Sequence, residues 1–167
     1  MIMRDEFEQV YVEHRERLFA FLVYRTGERA LAEDLLADVF ERAFRARNRF
    51  DPRRGSMKAW LYAIAGNRLR DHQRRAQVAR ASLERVISIS TPTMSVDPPQ
   101  DAILDRDQVM QALSVLNQRD REIIALRFGA DLTASQIAHV TNQPRTTVET
   151  RLFRTLRRLE LGGELVR

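Results

Sequence analysis

The chain has 167 residues, 44% hydrophobic and 31% charged, which suits one domain or two small ones and excludes compositional disorder. It has no cysteine, so a disulfide framework, a thiolate zinc site and a cysteine nucleophile are excluded, as fits a reducing compartment. The net charge of +5 rests on arginines and the single lysine Lys58, and no apolar run approaches the roughly 20 residues that span a bilayer. The N-terminal MIMRDEFEQV has no apolar h-region, so no secretion signal is expected.

Residues 5–25 read as an amphipathic helix, with Phe7, Val10, Tyr11, Leu18, Phe21 and Leu22 at helical spacing and Gly27 closing it. His14 falls on the same stripe, where a lone histidine is a packed boundary residue more often than a ligand. A second helix is predicted over 29–47, with Leu31, Leu35, Val39, Ala43 and Phe44 on one face. Asp34, Asp38 and Glu41 share another face, flanked by Leu36 and Phe40, which the pattern leaves exposed. No histidine joins these carboxylates, so they suit a protein-binding face better than catalysis or a metal. Residues 48–55 form a loop broken by Pro52 and Gly55, and Ser56 is a good N-cap for a third helix over 57–75. Met57, Trp60, Leu61, Ile64 and Ala65 would form its buried face. Phe50 and Trp60 are expected to anchor the loop to the core. Residues 76–100 lack an apolar stripe and end in ISISTPTMSVDPPQ, a flexible linker reaching up to about 80–90 Å when extended.

After the linker the helical pattern returns over 105–116 and again over 120–128. Thr133 and Gln136 then form a Thr-x-x-Gln capping box for a short helix to Val140. A turn over 141–143 follows, and Pro144 suits the first position of a longer helix to about 160, ended by Gly162 and Gly163. A capped helix, a tight turn and a longer basic helix make a helix-turn-helix. Ile137, Val140, Val148 and Leu152 would pack the two helices together. Arg145, Thr146, Glu149, Thr150, Phe153, Arg154 and Arg157 are left as candidates to meet duplex DNA.

Charge placement supports two contacts with a polyanion. Residues 48–75 hold 8 basic and 2 acidic side chains, and residues 145–158 hold 5 and 1, each block following an acidic stretch. The expected fold is all-α: two small helical domains joined by a flexible linker, the second a winged-helix-like helix-turn-helix domain.

AEDLLADVFERAFRARNRFDPRRGSMKAWLYAIAGNRLRDHQRR and LSVLNQRDREIIALRFGADLTASQIAHVTNQPRTTVETRLFRTLRRL then give a family. They resemble regions 2 and 4 of the extracytoplasmic-function (ECF) sigma factors of bacterial RNA polymerase, in the right order and over about residues 5–75 and 105–160. The resemblance implies a region 2 domain over 1–75, a linker over 76–100 and a region 4 domain over 101–167. It implies that Asp34, Leu36, Asp38, Phe40 and Glu41 dock on the clamp coiled coil of core RNA polymerase. Asn48, Asp51, Arg53, Arg54, Ser56 and Lys58 would hold a base flipped from the non-template single strand of the downstream promoter element, and Asn67, Arg70 and Arg74 would lie near the melting junction. Arg145, Thr146, Glu149, Thr150, Phe153, Arg154 and Arg157 would read the upstream element as duplex, while the other face of region 4 meets the polymerase flap. The resemblance implies no enzymatic activity, cofactor, metal or small-molecule substrate. It implies a cytoplasmic protein without stable membrane insertion, held inactive by an anti-sigma factor that is often membrane-anchored.

The chain departs from the family pattern at Asp38 for Glu, Asn117-Gln118 for Leu-Pro, Thr141 for Leu, Thr146 for Gly and Glu149 for Lys or Arg. Three rivals remain at this point: a sigma-like decoy that only binds an anti-sigma factor, a plain helix-turn-helix regulator, and a nuclease. The basic block at 48–75 argues against the first, the unexplained first half against the second, and the lack of a clustered metal or nucleophile site against the third.

Overall fold

The computed structural model describes residues 4–84 and 116–164, with side chains over 6–82 and 116–160. The chain divides into two compact units, Met1–Pro98 and Pro99–Arg167. Every regular element among the described residues is helical.

In the first unit, α1 (Arg4–Thr26), α2 (Arg29–Ala46) and α3 (Met57–Glu84) pack on one another. The predicted stripe of α1 supplies buried Phe7, Leu18, Phe21 and Leu22. Gly27 closes α1 at φ 70°, a left-handed conformation natural to glycine, and its N–H donates to the Val23 carbonyl at 2.8 Å. α2 begins two residues later and buries Ala32, Leu35, Val39, Phe40 and Ala43. Phe40 therefore faces the core, contrary to the sequence expectation. Its ring meets Phe7 and Tyr11 edge-on, at centroid distances of 6.4 and 4.7 Å, because the apolar stripe of α2 is wide enough to include it.

Ser56 caps α3 as expected, its Oγ accepting from the Ala59 N–H at 3.2 Å. The buried face of α3 is Ala59, Leu61, Tyr62, Ala65 and Leu69, so it is rotated from the predicted one; Met57, Trp60 and Ile64 are only half-buried. α3 also continues to Glu84 rather than ending at 75, which makes residues 76–84 of the expected linker helical. AQVARASLE lacks an apolar stripe but contains no glycine or proline, and its alanines and arginine are strong helix formers. The rest of the expected linker lies outside the described residues.

In the second unit, α4 (Gln118–Ile124) runs into a π-turn (Ala125–Gly129), followed by α5 (Ala134–Thr141) and α6 (Arg145–Glu164). The helix expected over 105–116 lies outside the described residues except for Leu116, which is buried. The helix expected over 120–128 starts earlier, because Asn117 caps it by accepting from the Asp120 N–H at 2.9 Å. It then widens, with the Ala130 N–H donating to the Ala125 carbonyl at 3.0 Å. Leu126, Ala130 and Leu132 are buried there, while Phe128 is exposed. With Ile123, Ile137, Val140 and Val148 they form the core. α6 runs through Gly162 and Gly163, which disfavour a helix without forbidding it. No strand, and so no β-wing, occurs among the described residues.

Candidate nucleic-acid interface

The helix-turn-helix is built by local hydrogen bonds. Thr133 Oγ1 accepts from the Gln136 N–H at 3.3 Å, and Gln136 Oε1 accepts from the Thr133 N–H at 2.9 Å, completing the capping box. Asn142 ends α5 in the left-handed region at φ 52° and ψ 45°, which asparagine tolerates better than other non-glycine residues. Pro144 sits one residue before α6 rather than at its first position, and its carbonyl accepts from the N–H groups of Thr147 (3.0 Å) and Val148 (3.2 Å).

Burial of Val148 and Thr155 fixes which side of α6 faces inward. Leu152 is half-buried rather than fully packed. All seven predicted duplex-reading residues, Arg145, Thr146, Glu149, Thr150, Phe153, Arg154 and Arg157, are exposed. Arg145 Nε donates to Glu149 Oε1 at 2.7 Å. Phe153 is 64% exposed, a large apolar ring in water, with the Arg157 guanidinium 5.9 Å from its centroid.

One polar cluster beside this face was not foreseen. Asp120 is only 5% exposed and accepts from Arg151 Nη1 at 2.8 Å and Asn117 Nδ2 at 2.8 Å, with Arg158 Nη1 at 3.8 Å. It ties the start of α4 to the middle of α6. The Asn-x-x-Asp spacing at 117–120 signals the cap, but nothing local signals the partner 31 residues away. A groove of about 460 Å³ opens there, lined by Thr146, Thr150 and Arg154 beside Asp120 and Arg151.

In the first unit the loop has a defined shape. The Phe50 and Trp60 rings lie 5.4 Å apart, as expected of an anchor. Asp51 folds the tip: its side chain accepts from the Arg53 N–H at 3.0 Å and its carbonyl from the Arg54 N–H at 3.0 Å. Asn48, Asp51, Arg53, Arg54 and Ser56 are exposed and Lys58 is half-buried. Asn67, Arg70 and Arg74 lie exposed along α3, three and four residues apart, where Arg70 Nη2 donates to Asn67 Oδ1 at 2.7 Å and Arg74 lies 3.4 Å from Asp71.

The acidic face of α2 divides. Asp34 and Glu41 are exposed, Glu41 pairing with Arg45 at 2.5 Å, while Leu36 is half-buried. Asp38 turns toward α3: it accepts from Arg42 Nε at 2.9 Å and from Arg68 Nε, and Arg68 also reaches Asp71 at 3.3 Å. Partial burial alone would raise the Asp38 pKa, but the hydrogen bonds and charges of Arg42 and Arg68 outweigh it and hold the carboxyl below its ordinary value. Burial also lowers the pKa of His14, 3.9 Å from Glu13, against the raising effect of that carboxylate. Among the described residues no three His, Cys, Asp or Glu side chains converge as a metal site would require, and no helix is long and apolar enough to cross a membrane.

Residues 10–78 match the family Sigma-70 region 2, and residues 112–160 match Sigma-70, region 4. The chain is 28% identical over 159 residues to the ECF RNA polymerase sigma factor BldN of Streptomyces coelicolor, covering 93% of this chain but 59% of that relative. It is 26% identical over 163 residues to the ECF RNA polymerase sigma factor SigK of Mycobacterium sp. (strain KMS), covering 93% of this chain and 82% of the relative. Among solved structures, the sigma factor RpoE in complex with the anti-sigma factor NepR from Bartonella quintana shares the fold at a TM-score of 0.76 and 24% identity, covering 97% of this chain and 99% of that one. CnrH in complex with the cytosolic domain of CnrY follows at 0.67 and 23%, covering 98% and 90%.

Proposed function

The chain belongs to the extracytoplasmic-function class of RNA polymerase sigma factors, and from that membership we propose how its two units divide the work of initiating transcription. The accessible part of the α2 face, exposed Asp34 and Glu41 with half-buried Leu36, docks on the clamp coiled coil of core polymerase. Asp38 supports that face through Arg68, and Phe40 supports it from within the core. Arg53 and Arg54, at the tip of the Asp51 turn, hold the phosphates around one base flipped from the non-template strand. Asn67, Arg70 and Arg74 follow the strand along α3 to the melting junction. The exposed face of α6 reads the upstream element in the major groove, and the other face of the second unit meets the polymerase flap.

Nothing in this scheme is chemical catalysis. The protein binds the melted strand better than the duplex and so shifts the population of promoter toward the open state. An anti-sigma partner, like the one that accompanies the Bartonella RpoE, would hold the chain inactive by covering these surfaces, in the cytoplasm or at the membrane.

The observation that carries the reading is that Arg53, Arg54, Arg70 and Arg74 of the first unit and Arg145, Arg154 and Arg157 on α6 of the second all have exposed side chains. Purified protein added to sigma-free core polymerase and a promoter library should give specific run-off transcripts. No transcript, with intact binding to an anti-sigma partner, would replace this reading with that of a decoy.

A further inference from the structure

The first turn of α6 carries an exposed Arg145–Glu149 pair, in the same i, i+4 order as Arg29–Glu33 at the start of α2, but here on the helix read as facing DNA. Arg145 is the first residue of α6, where the positive end of the helix dipole disfavours a cation. Its partner Glu149 lies one turn toward the C-terminus, the reverse of the order that best stabilises a helix. Both side chains stay exposed, 66% for Arg145 and 45% for Glu149, so the pair fastens α6 to no other element. The bond between them joins Arg145 Nε and Glu149 Oε1. A guanidinium has four further N–H donors, and a carboxylate a second oxygen. Thr146 and Thr150 beside them are exposed, so nothing bulky screens the pair from a groove.

The pair is formally neutral. It gains little from phosphate, and a carboxylate at that position repels the backbone. What it offers is a matched donor and acceptor. A guanidinium fork fits guanine O6 and N7, and a carboxylate accepts from the N4 amine of cytosine. Their backbone positions lie about 6 Å apart along the helix axis, the span of roughly two base-pair steps, and the side chains converge to the 2.7 Å bond.

Resting on the reading of α6 as the upstream-element helix, we propose that Arg145 and Glu149 form a specificity-determining pair. Arg145, held at Nε by Glu149, reads a guanine, and Glu149 reads a cytosine within two base pairs of it. Glu149 is thus a base-reading residue and also positions Arg145.

The test is selection from randomised upstream elements by holoenzyme assembled from core polymerase and the full chain, comparing wild type with Glu149→Gln and Glu149→Lys. Wild type should enrich a guanine and a nearby cytosine, with the cytosine preferred roughly tenfold or more over other bases. Glu149→Gln should lose that cytosine preference and admit adenine, which an amide recognises. Glu149→Lys should move the preference at that position to guanine. Selective enrichment by wild type with the same base profile in both variants would overturn the pair while leaving the upstream-element reading intact. No selective enrichment by wild type would sink both.

Discussion

Replacing Asp120 with alanine should destabilise the second unit far more than any exposed carboxylate change. Asp120 is 5% exposed, and its two short hydrogen bonds come from Arg151 and Asn117. Removing one partner of a buried pair strands the other charge, at a typical cost of about 3–5 kcal/mol. Arg151 retains 30% side-chain exposure and water can reach it, which discounts that cost to about 2–3 kcal/mol. For so small a unit that corresponds to a fall of roughly 10–20 °C in its melting temperature, read by calorimetry on the full chain. A double-mutant cycle isolates the pair: Asp120→Ala, Arg151→Ala and both together. Arg158, 3.8 Å from Asp120, can partly replace Arg151, so the cycle is repeated in an Arg158→Ala background, where the coupling should grow to about 2 kcal/mol. A coupling below about 0.5 kcal/mol in both backgrounds would refute the claim that this tie holds α4 to α6.

Tyr62→Phe should leave the first unit as stable or stabilise it by about 1 kcal/mol in urea unfolding, because the buried hydroxyl has no hydrogen-bond partner among the described residues. Burial pushes that phenol up to about 12 against the lowering charge of Arg17; a loss of more than about 1 kcal/mol would mean that a partner exists. Because Asp38 is held below its ordinary value of 3.8, its stabilisation is complete above about pH 4 and is lost as pH falls through the folded value. Urea midpoints should therefore drop less steeply in acid for Asp38→Asn than for wild type, and parallel curves would dismiss the tie to Arg68. Arg53→Ala with Arg54→Ala should impair strand opening, followed by permanganate reactivity of unpaired thymines, with upstream binding retained. Arg154→Ala should weaken upstream binding and reduce the slope of log affinity against log salt by about 1; an unchanged slope would remove it from the phosphate contacts.

The helical class, the two-part division and the helix-turn-helix were legible in the sequence because each rests on local signals. The Thr133–Gln136 box and the Ser56 cap are three-residue relationships, and the apolar stripes of α1 and α2 repeat within one helix. What was not legible depends on contacts between helices. Phe40 was expected outside because it sits among carboxylates, yet α1 presents Phe7 and Tyr11 to it. The apolar stripe of α3 ends before its helix does, so the stripe understates its length; residues 76–84 stay helical by intrinsic propensity. That the seven candidate residues of α6 are exposed was legible, because the exposed side of a helix follows from knowing its buried side.

Each unit also places one carboxylate–arginine tie between helices, Asp38 to Arg68 and Asp120 to Arg151. Arg68 lies on α3 between Asn67 and Arg70, and Arg151 lies on α6 next to Thr150. Apolar packing alone tolerates small rotations of a helix about its axis, since Leu, Val and Ala contacts are non-directional. A hydrogen-bonded ion pair is directional and resists such rotation. A turn of α6 by one residue, about 100°, would move Arg145 and Glu149 off the face proposed to meet DNA and bring neighbouring side chains onto it. Under the proposed function the two ties act through orientation, fixing which residues each unit offers to DNA. Asp120→Asn, which preserves shape and one acceptor oxygen but removes the charge, should accordingly blur base preference at the upstream element more than it lowers overall affinity. Preserved base preference alongside a large loss of affinity would show that Asp120 serves stability alone.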